Sequence, residues 1–426
     1  MLSTLRKALK EPELRVRIIW TIVLVAIYRI GNFILVPGVD PTKLQNLASN
    51  SGSLFSFYDL MSGGAFSKFS IFALGVMPYI NASIIMQLLT IAIPSLENLQ
   101  KEGEHGRKKI QKYTRYASIF FSILMTFGVY ALINNVGALK DTSKFGMFII
   151  VLTLTTASTF LMWLGEQITV KGIGNGVSLI IFINIISRFP SSIYSIFNLN
   201  QAGSVDIVQI GVFAFALFVL FLAVVIASIA ERRIPVQYAG KNMMTKKSKG
   251  QSSYIPININ ASAVIAIIFA MAVMQFPVTI ASFWPKSWWY LTITGGQYSP
   301  FKTNSIQYVV TSFVFTVFFT WFYTQVTFKP DEIAENMHKS SGFIPGIRPG
   351  EETAIYVEQV LSRVALLWGV FAGIVAVSPL VIQAFTNFKG LNFTGTGLLI
   401  MVGVASESIK ALKSQLLMRH YEGFLG

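Results

Sequence analysis

The chain has 426 residues, of which 53% are hydrophobic and only 12% charged, and its mean hydropathy is +0.59. So little charge excludes an ordinary soluble globule of 47.2 kDa. The absence of cysteine excludes disulfides, thiol catalysis and Cys-metal sites. The net charge of +15 sits in short segments between apolar stretches rather than across one surface, so no DNA partner is expected.

Ten apolar stretches follow in chain order, near 18–36, 72–93, 114–137, 146–165, 177–196, 207–230, 261–283, 306–328, 357–384 and 394–412. A bilayer core of about 30 Å needs about 20 mostly apolar residues per helix. Ten spans predict an all-α polytopic membrane protein. The segments 1–17, 94–115, 166–176, 231–260, 329–363 and 410–426 carry 25 of the 34 Lys and Arg residues. Arg29 lies in the first span, and the remainder are assigned to the opposite side. The positive-inside rule then places both termini in the cytoplasm. The basic loops either fix topology alone or also meet anionic lipid, acidic protein or RNA. Residues 1–17 are polar and basic and the first span is long, so no cleavable signal peptide is expected.

Ten spans divide as five and five, residues 1–200 and 201–426. An odd number per half inverts the second half relative to the first, as in two-shelled transporters and channels.

After the first span comes LFSFYDLMSGGAFSK, 54–68, amphipathic, too short to span and broken by Gly63 and Gly64. It is either an interfacial helix or a re-entrant element shielded by protein. The second span, SIFALGVMPYINASIIMQLLTI, holds Pro78, Asn81, Ser83 and Gln87. Such a helix faces protein or a wet cavity, either as hydrogen-bonded glue or as a pore wall. Asn184 in the fifth span and Gln275 and Pro277 in the seventh repeat the pattern.

Between spans six and seven, RRIPVQYA (232–239) and SYIPININ (253–260) predict two strands around a basic tip carrying Lys246, Lys247 and Lys249. The hairpin either sets topology or docks a partner. Between spans eight and nine, DEIAENMHKS predicts a short helix, acidic first and basic last. FIPGIRPGEE predicts a rigid turn in which Arg348 either ties the loop down or is presented to a partner's carboxylate or phosphate.

Catalytic signatures are missing. There is no Walker A, GxSxG or HExxH sequence. KGIGNG (171–176) lies between two spans and reads as a tight helix–helix turn. The three histidines, His105, His338 and His420, are scattered, so no metal site and no cofactor are expected. Arg29 and Glu407 are the main ionisable candidates within the spans, each costing about 2.5–3.5 kcal/mol if central. A proton-coupled solute transporter would need more acids there. The reading is a non-enzymatic conduit driven by a partner, with a secondary solute transporter as the alternative.

Three long motifs are familiar together: SGGAFSKFSIFALGVMPYINASIIMQLL (62–89), FLMWLGEQITVKGIGNGVSLIIF (160–182) and KSSGFIPGIRPGE (339–351). With YRIGNFILVPGVD (28–40) and GTGLLIMVGV (395–404), they make nearly the whole chain resemble the SecY/Sec61 alpha family of protein-translocation channels. The resemblance implies an hourglass pore between two inverted five-helix halves. It assigns 54–68 to a plug, with Phe57, Tyr58, Leu60, Met61, Gly63 and Gly64 at its centre. It implies a pore ring of Val76, Ile80, Ile181, Ile268, Ile280 and Ile400, with Val76 standing where the family often has Ile. Aliphatic rings dewet a narrow pore.

It also implies a lateral gate between spans two and three and spans seven and eight, lined by Asn81, Ile84, Gln87, Gln275 and Phe276. Loops 231–260 and 329–353, with Arg232, Arg233, Lys246, Lys247, Lys249 and Arg348, would dock the SecA ATPase or the ribosome. Signal peptides and unfolded preproteins would be the cargo. SecE and SecG would be companion membrane subunits, lipid the surround, and the bacterial cytoplasmic membrane the location.

Overall fold

The computed structural model of the chain describes residues 9–40, 59–135, 137–201, 203, 205–238, 253–258, 260–281, 284, 287–295, 299–301, 305–385 and 395–425. Helices dominate, since a backbone in hydrocarbon satisfies its hydrogen bonds internally. In the first half run α1 (Pro12–Gly31), α2 (Met77–Ala92), α3 (Pro94–Lys101), α4 (Glu104–Asn135), α5 (Lys144–Lys171) and α6 (Gly176–Gln201). The second half holds α7 (Ile207–Ile229), β1 (Arg232–Tyr238), β2 (Ser253–Ile257), α8 (Asn260–Ala281) and α9 (Ile306–Thr327). It continues with α10 (Pro330–Lys339), β3 (Gly342–Phe343), α11 (Glu351–Phe385) and α12 (Gly395–Leu425).

Eight of these helices are long and apolar enough to cross a membrane, or nine if the bent pair α2 and α3 is one broken span. The remaining expected span is α1. Its 20 residues reach about 30 Å, but Arg15, Arg17 and Arg29 interrupt the apolar run. It also begins and ends earlier than the apolar stretch 18–36. Residues 32–40 instead form turns and two isolated bridges, with Val36 N donating to Phe69 O at 3.0 Å and Asp40 N to Ala138 O at 2.8 Å.

The second span departs further from expectation. Residues 62–76 are buried turns, and helix starts only at Met77, with Pro78 in its first turn. Gly75 at φ +56 breaks any helix before it. α2 is therefore 16 residues, about 24 Å. At Ile93 the chain bends 99° into α3.

Two apolar cores form. One joins α2, α4, α5, α6, α8 and α12 around residues 60–77. The other packs the second-half helices α7, α8, α11 and α12 against Ile234, Val236, Ile257 and Ile344. Gly373 lets α11 close on α9, since a Cβ there would meet the Phe313 ring at 2.6 Å. Trp321 Nε1 and Gln325 Nε2 both donate to Ser362 Oγ across that contact, at 2.8 and 2.9 Å. α7 buries only Phe213, Val224 and Ser228, as a helix facing lipid does.

The expected hairpin is present: β1 pairs antiparallel with β2, Ile234 opposite Ile255. Its tip, with Lys246, Lys247 and Lys249, lies outside the described residues. Unforeseen was β3, which adds to the other edge of β1 with Gln237 opposite Phe343. The two basic loops, read separately in sequence, form one three-stranded sheet. Gly342 is required there, because a Cβ would sit 2.9 Å from the Tyr238 ring. Gly342→Val is expected to unpair β3 from β1, which limited proteolysis between 329 and 350 would report as faster cleavage.

Candidate functional site

Residues 59–69 fold back against α1 and α6, where Tyr28 and Asn184 meet them. Asp59, Leu60 and Met61 make one helical turn, and tight turns follow at Gly63 (φ +66) and Gly64 (φ +90). Leu60 and Met61 are buried, as are Ala65, Phe66 and Phe69. Thus the segment is neither an interfacial helix nor exposed. It is a buried, re-entrant turn segment. Phe57 and Tyr58 lie outside the described residues.

What this segment meets is the expected constriction. Val76 caps α2, Ile80 follows one turn later, Ile181 comes from α6 and Ile400 from α12. All four are buried in the same apolar cluster as Leu60 and Met61, and Ile268 packs against it half-buried. Ile280 is placed differently. It is 42% exposed and lines a crevice rather than that cluster.

The crevice runs between Met77 and Asn81 of α2, Phe121, Leu124 and Met125 of α4, and Ala272, Gln275, Phe276, Thr279 and Ile280 of α8. The crevice is narrow, with about 10 Å³ of space, enough for one water. Asn81 Nδ2 reaches Met125 Sδ at 3.6 Å, within one wall. Gln87 is exposed on α2, nearly one turn beyond the buried Ile84. Gln275 Oε1 is buried with no hydrogen-bond partner among the described residues. Such polar side chains close a dry seam weakly and would remain compatible with a wet, open one.

Sequence reasoning missed the polar fastening of the segment. Tyr28 of α1 donates to Asn184 Oδ1 at 2.5 Å and to Ser62 O at 3.3 Å. Asn184 Nδ2 donates to Met61 O at 2.6 Å, and Ser187 Oγ to Gly63 O at 3.5 Å. Arg188 forms an ion pair with Asp59, both largely buried. Asp59 Oδ1 also accepts the Ser67 amide at 2.8 Å, closing the turn on itself. Arg188, assigned by the charge count to the far-side loops, therefore sits on α6 inside the bundle. Arg188 thus joins Arg29 and Glu407 as an ionisable residue within the spans. The available signal was the spacing of Asn184, Ser187 and Arg188, which puts all three on one helix face.

At the sheet end, Arg348 is exposed in the turn between Gly346 (φ +83) and Gly350 (φ +108). Its carbonyl accepts Thr353 Oγ1 at 2.8 Å, so the backbone ties the loop and the guanidinium is left outward. Arg232 is exposed on β1. Arg233 pairs with Glu231 at 2.7 Å and lies over the Tyr254 ring at 4.7 Å. Its hydrogen bond to Glu231 raises its pKa above the ordinary guanidinium value. It is a fixed cation.

Helices long and apolar enough to cross a membrane, packed around a buried turn segment and one apolar cluster, define a multi-pass membrane protein. The SecY family profile matches residues 70–409. The protein translocase subunit SecY of Thermus thermophilus is 40% identical over 450 aligned residues, covering 100% of this chain and 98% of that one. Among solved structures, one described as a protein conducting channel superposes with TM-score 0.67 at 19% identity, over 94% of this chain and 92% of that chain. Sec61 in the canine ribosome-channel complex of the endoplasmic reticulum gives 0.64, also at 19% identity, with the same coverage.

The chain belongs to the SecY family. It is a protein-conducting translocation channel and not an enzyme.

Proposed function

We propose that unfolded secretory polypeptides cross the bacterial cytoplasmic membrane through the ring of Val76, Ile80, Ile181, Ile268 and Ile400. The observation that carries this reading is the shared cluster in which those aliphatic side chains close on Leu60 and Met61. Aliphatic side chains have no hydrogen bonds to lose, so they can close around any passing residue and still exclude water. Transmembrane segments leave sideways between α2/α4 and α8/α9. Ile280 belongs to this gate with Asn81, Gln275 and Phe276, given its place in the crevice.

The halves 1–200 and 201–426 separate along this seam, and both termini are cytoplasmic. The chain carries no motor motif, so force comes from SecA or a ribosome docked on the basic end. The sheet carries Arg232 and Arg233 on β1, and Arg348 lies in the exposed turn that follows β3. Remote kinship to a channel solved on a ribosome supports that surface. SecE and SecG are the companion subunits.

The absence of cysteine makes the test direct. Ile268→Cys should cross-link on oxidation to a cysteine in a stalled secretory chain, only with SecA and ATP. Phe215→Cys, exposed on α7, should not. Equal cross-linking at both, or none at positions 268, 80 and 181 in a translocating complex, would sink the ring assignment.

A further inference from the structure

Arg188 is a buried cation that the conducting path does not use. Its side chain is 15% exposed and that of its partner Asp59 4%. Its Nε has no hydrogen-bond acceptor among the described residues, so Asp59 is the group that balances the charge. A guanidinium in that setting is stable only while the carboxylate stays beside it. Asp59 belongs to the stopper, whereas Arg188 belongs to the wall.

The rest of α6 supports the same contact. Asn184 sits one turn before Arg188 and holds Met61 O, and Ser187 reaches Gly63 O. Tyr28 orients the Asn184 amide from α1, so its Nδ2 faces the stopper. Every hydrogen bond and ion pair named here ties the stopper to the first half. None crosses the seam, so parting α2 and α4 from α8 and α9 does not break them.

We propose that Arg188 is a positioning residue that latches the plug to α6 through Asp59, and that this buried ion pair sets the ion tightness of the resting channel. The inference rests on the plugged-channel reading. Displacing the plug separates two charges in a dry site, a penalty a rigid apolar stopper would not carry. The latch thus depends on both charges. It holds while both charges are present, and it loosens when one is removed and the other is left buried alone.

The experiment is a double-mutant cycle on the purified channel complex in proteoliposomes without preprotein, reading ion leak. Arg188→Ala and Asp59→Ala should each raise resting leak by about tenfold or more. Arg188→Ala combined with Asp59→Ala should leak less than the product of the single effects, because no uncompensated charge remains. Exchanging the two residues should restore part of the seal. Translocation of a preprotein in the same vesicles shows that each variant is assembled.

If Arg188→Ala does not assemble, Arg188→Lys replaces it and should leak to an intermediate degree, since the charge stays but the fork geometry is lost. Single variants as tight as the parent, or leaks that simply multiply, would overturn the latch. Such a result alongside successful cross-linking at position 268 leaves the channel reading intact. Failure of both would remove the channel reading as well.

Discussion

Gly63→Ala is expected to unseat the plug and leave the resting channel permeable to ions. At φ +66 a residue with a Cβ carries roughly 1–2 kcal/mol of strain. Here strain is the smaller part. The new Cβ would stand 2.6 Å from Asn184 Oδ1 and 3.0 Å from Asn184 Cα. Helix backbone cannot yield, and Asn184 is committed to Tyr28 and Met61. The plug must therefore move outward.

Gly64 is the internal control. Its φ of +90 imposes similar strain, but a Cβ there finds only Arg188 Nε at 3.8 Å, an ordinary contact. Conductance across planar bilayers should rise strongly for Gly63→Ala and slightly for Gly64→Ala. Equal rises would mean that turn strain, not the close approach to Asn184, is what the glycines relieve.

Ile181→Asn should wet the constriction. Ile181 is 2% exposed among Ile80, Ile400 and the plug. Losing its burial removes about 1.5–3 kcal/mol, and an amide without a partner there costs about 1–3 kcal/mol more. Either closed-state packing loosens or water enters to bond the amide, and both raise resting conductance. Ile181→Leu conserves volume and apolarity and should stay near the parent. At the half-exposed gate position, Ile280→Asn should have a much weaker effect, since solvent or lipid headgroup can reach it. A larger leak from position 280 than from 181 would move the seal from the cluster to the seam.

Much of this architecture is legible in the sequence because bilayer thickness imposes one length scale on every span. The hairpin strands and the helix at 330–339 follow from alternation and from charge order, both local signals. Four features escaped. The start of α1 was misplaced because Arg15 and Arg17 lower its apparent hydropathy without stopping a helix. The start of α2 was misplaced because buried turns at 62–76 are as apolar as a helix, and only Gly75 and Pro78 mark the change. The addition of β3 to β1 pairs residues about a hundred apart, and no local pattern encodes that register. The Asp59–Arg188 pair was missed for a related reason. Each residue alone reads as solvated charge, and only the return of the chain into the bundle brings them together.

The right-angle bend between α2 and α3 has a mechanical consequence. α3, with no buried residue, lies outside the core at the basic end, where the Glu97–Lys101 pair at 2.7 Å braces its surface. α2 carries Val76 and Ile80 at one end and Gln87 toward the other. The two therefore form a bell crank with arms of about 24 and 12 Å pivoted at Ile93. Were the pair rigid, a displacement of α3 along the α2 direction would tilt α2, with about a twofold gain in travel at the far end.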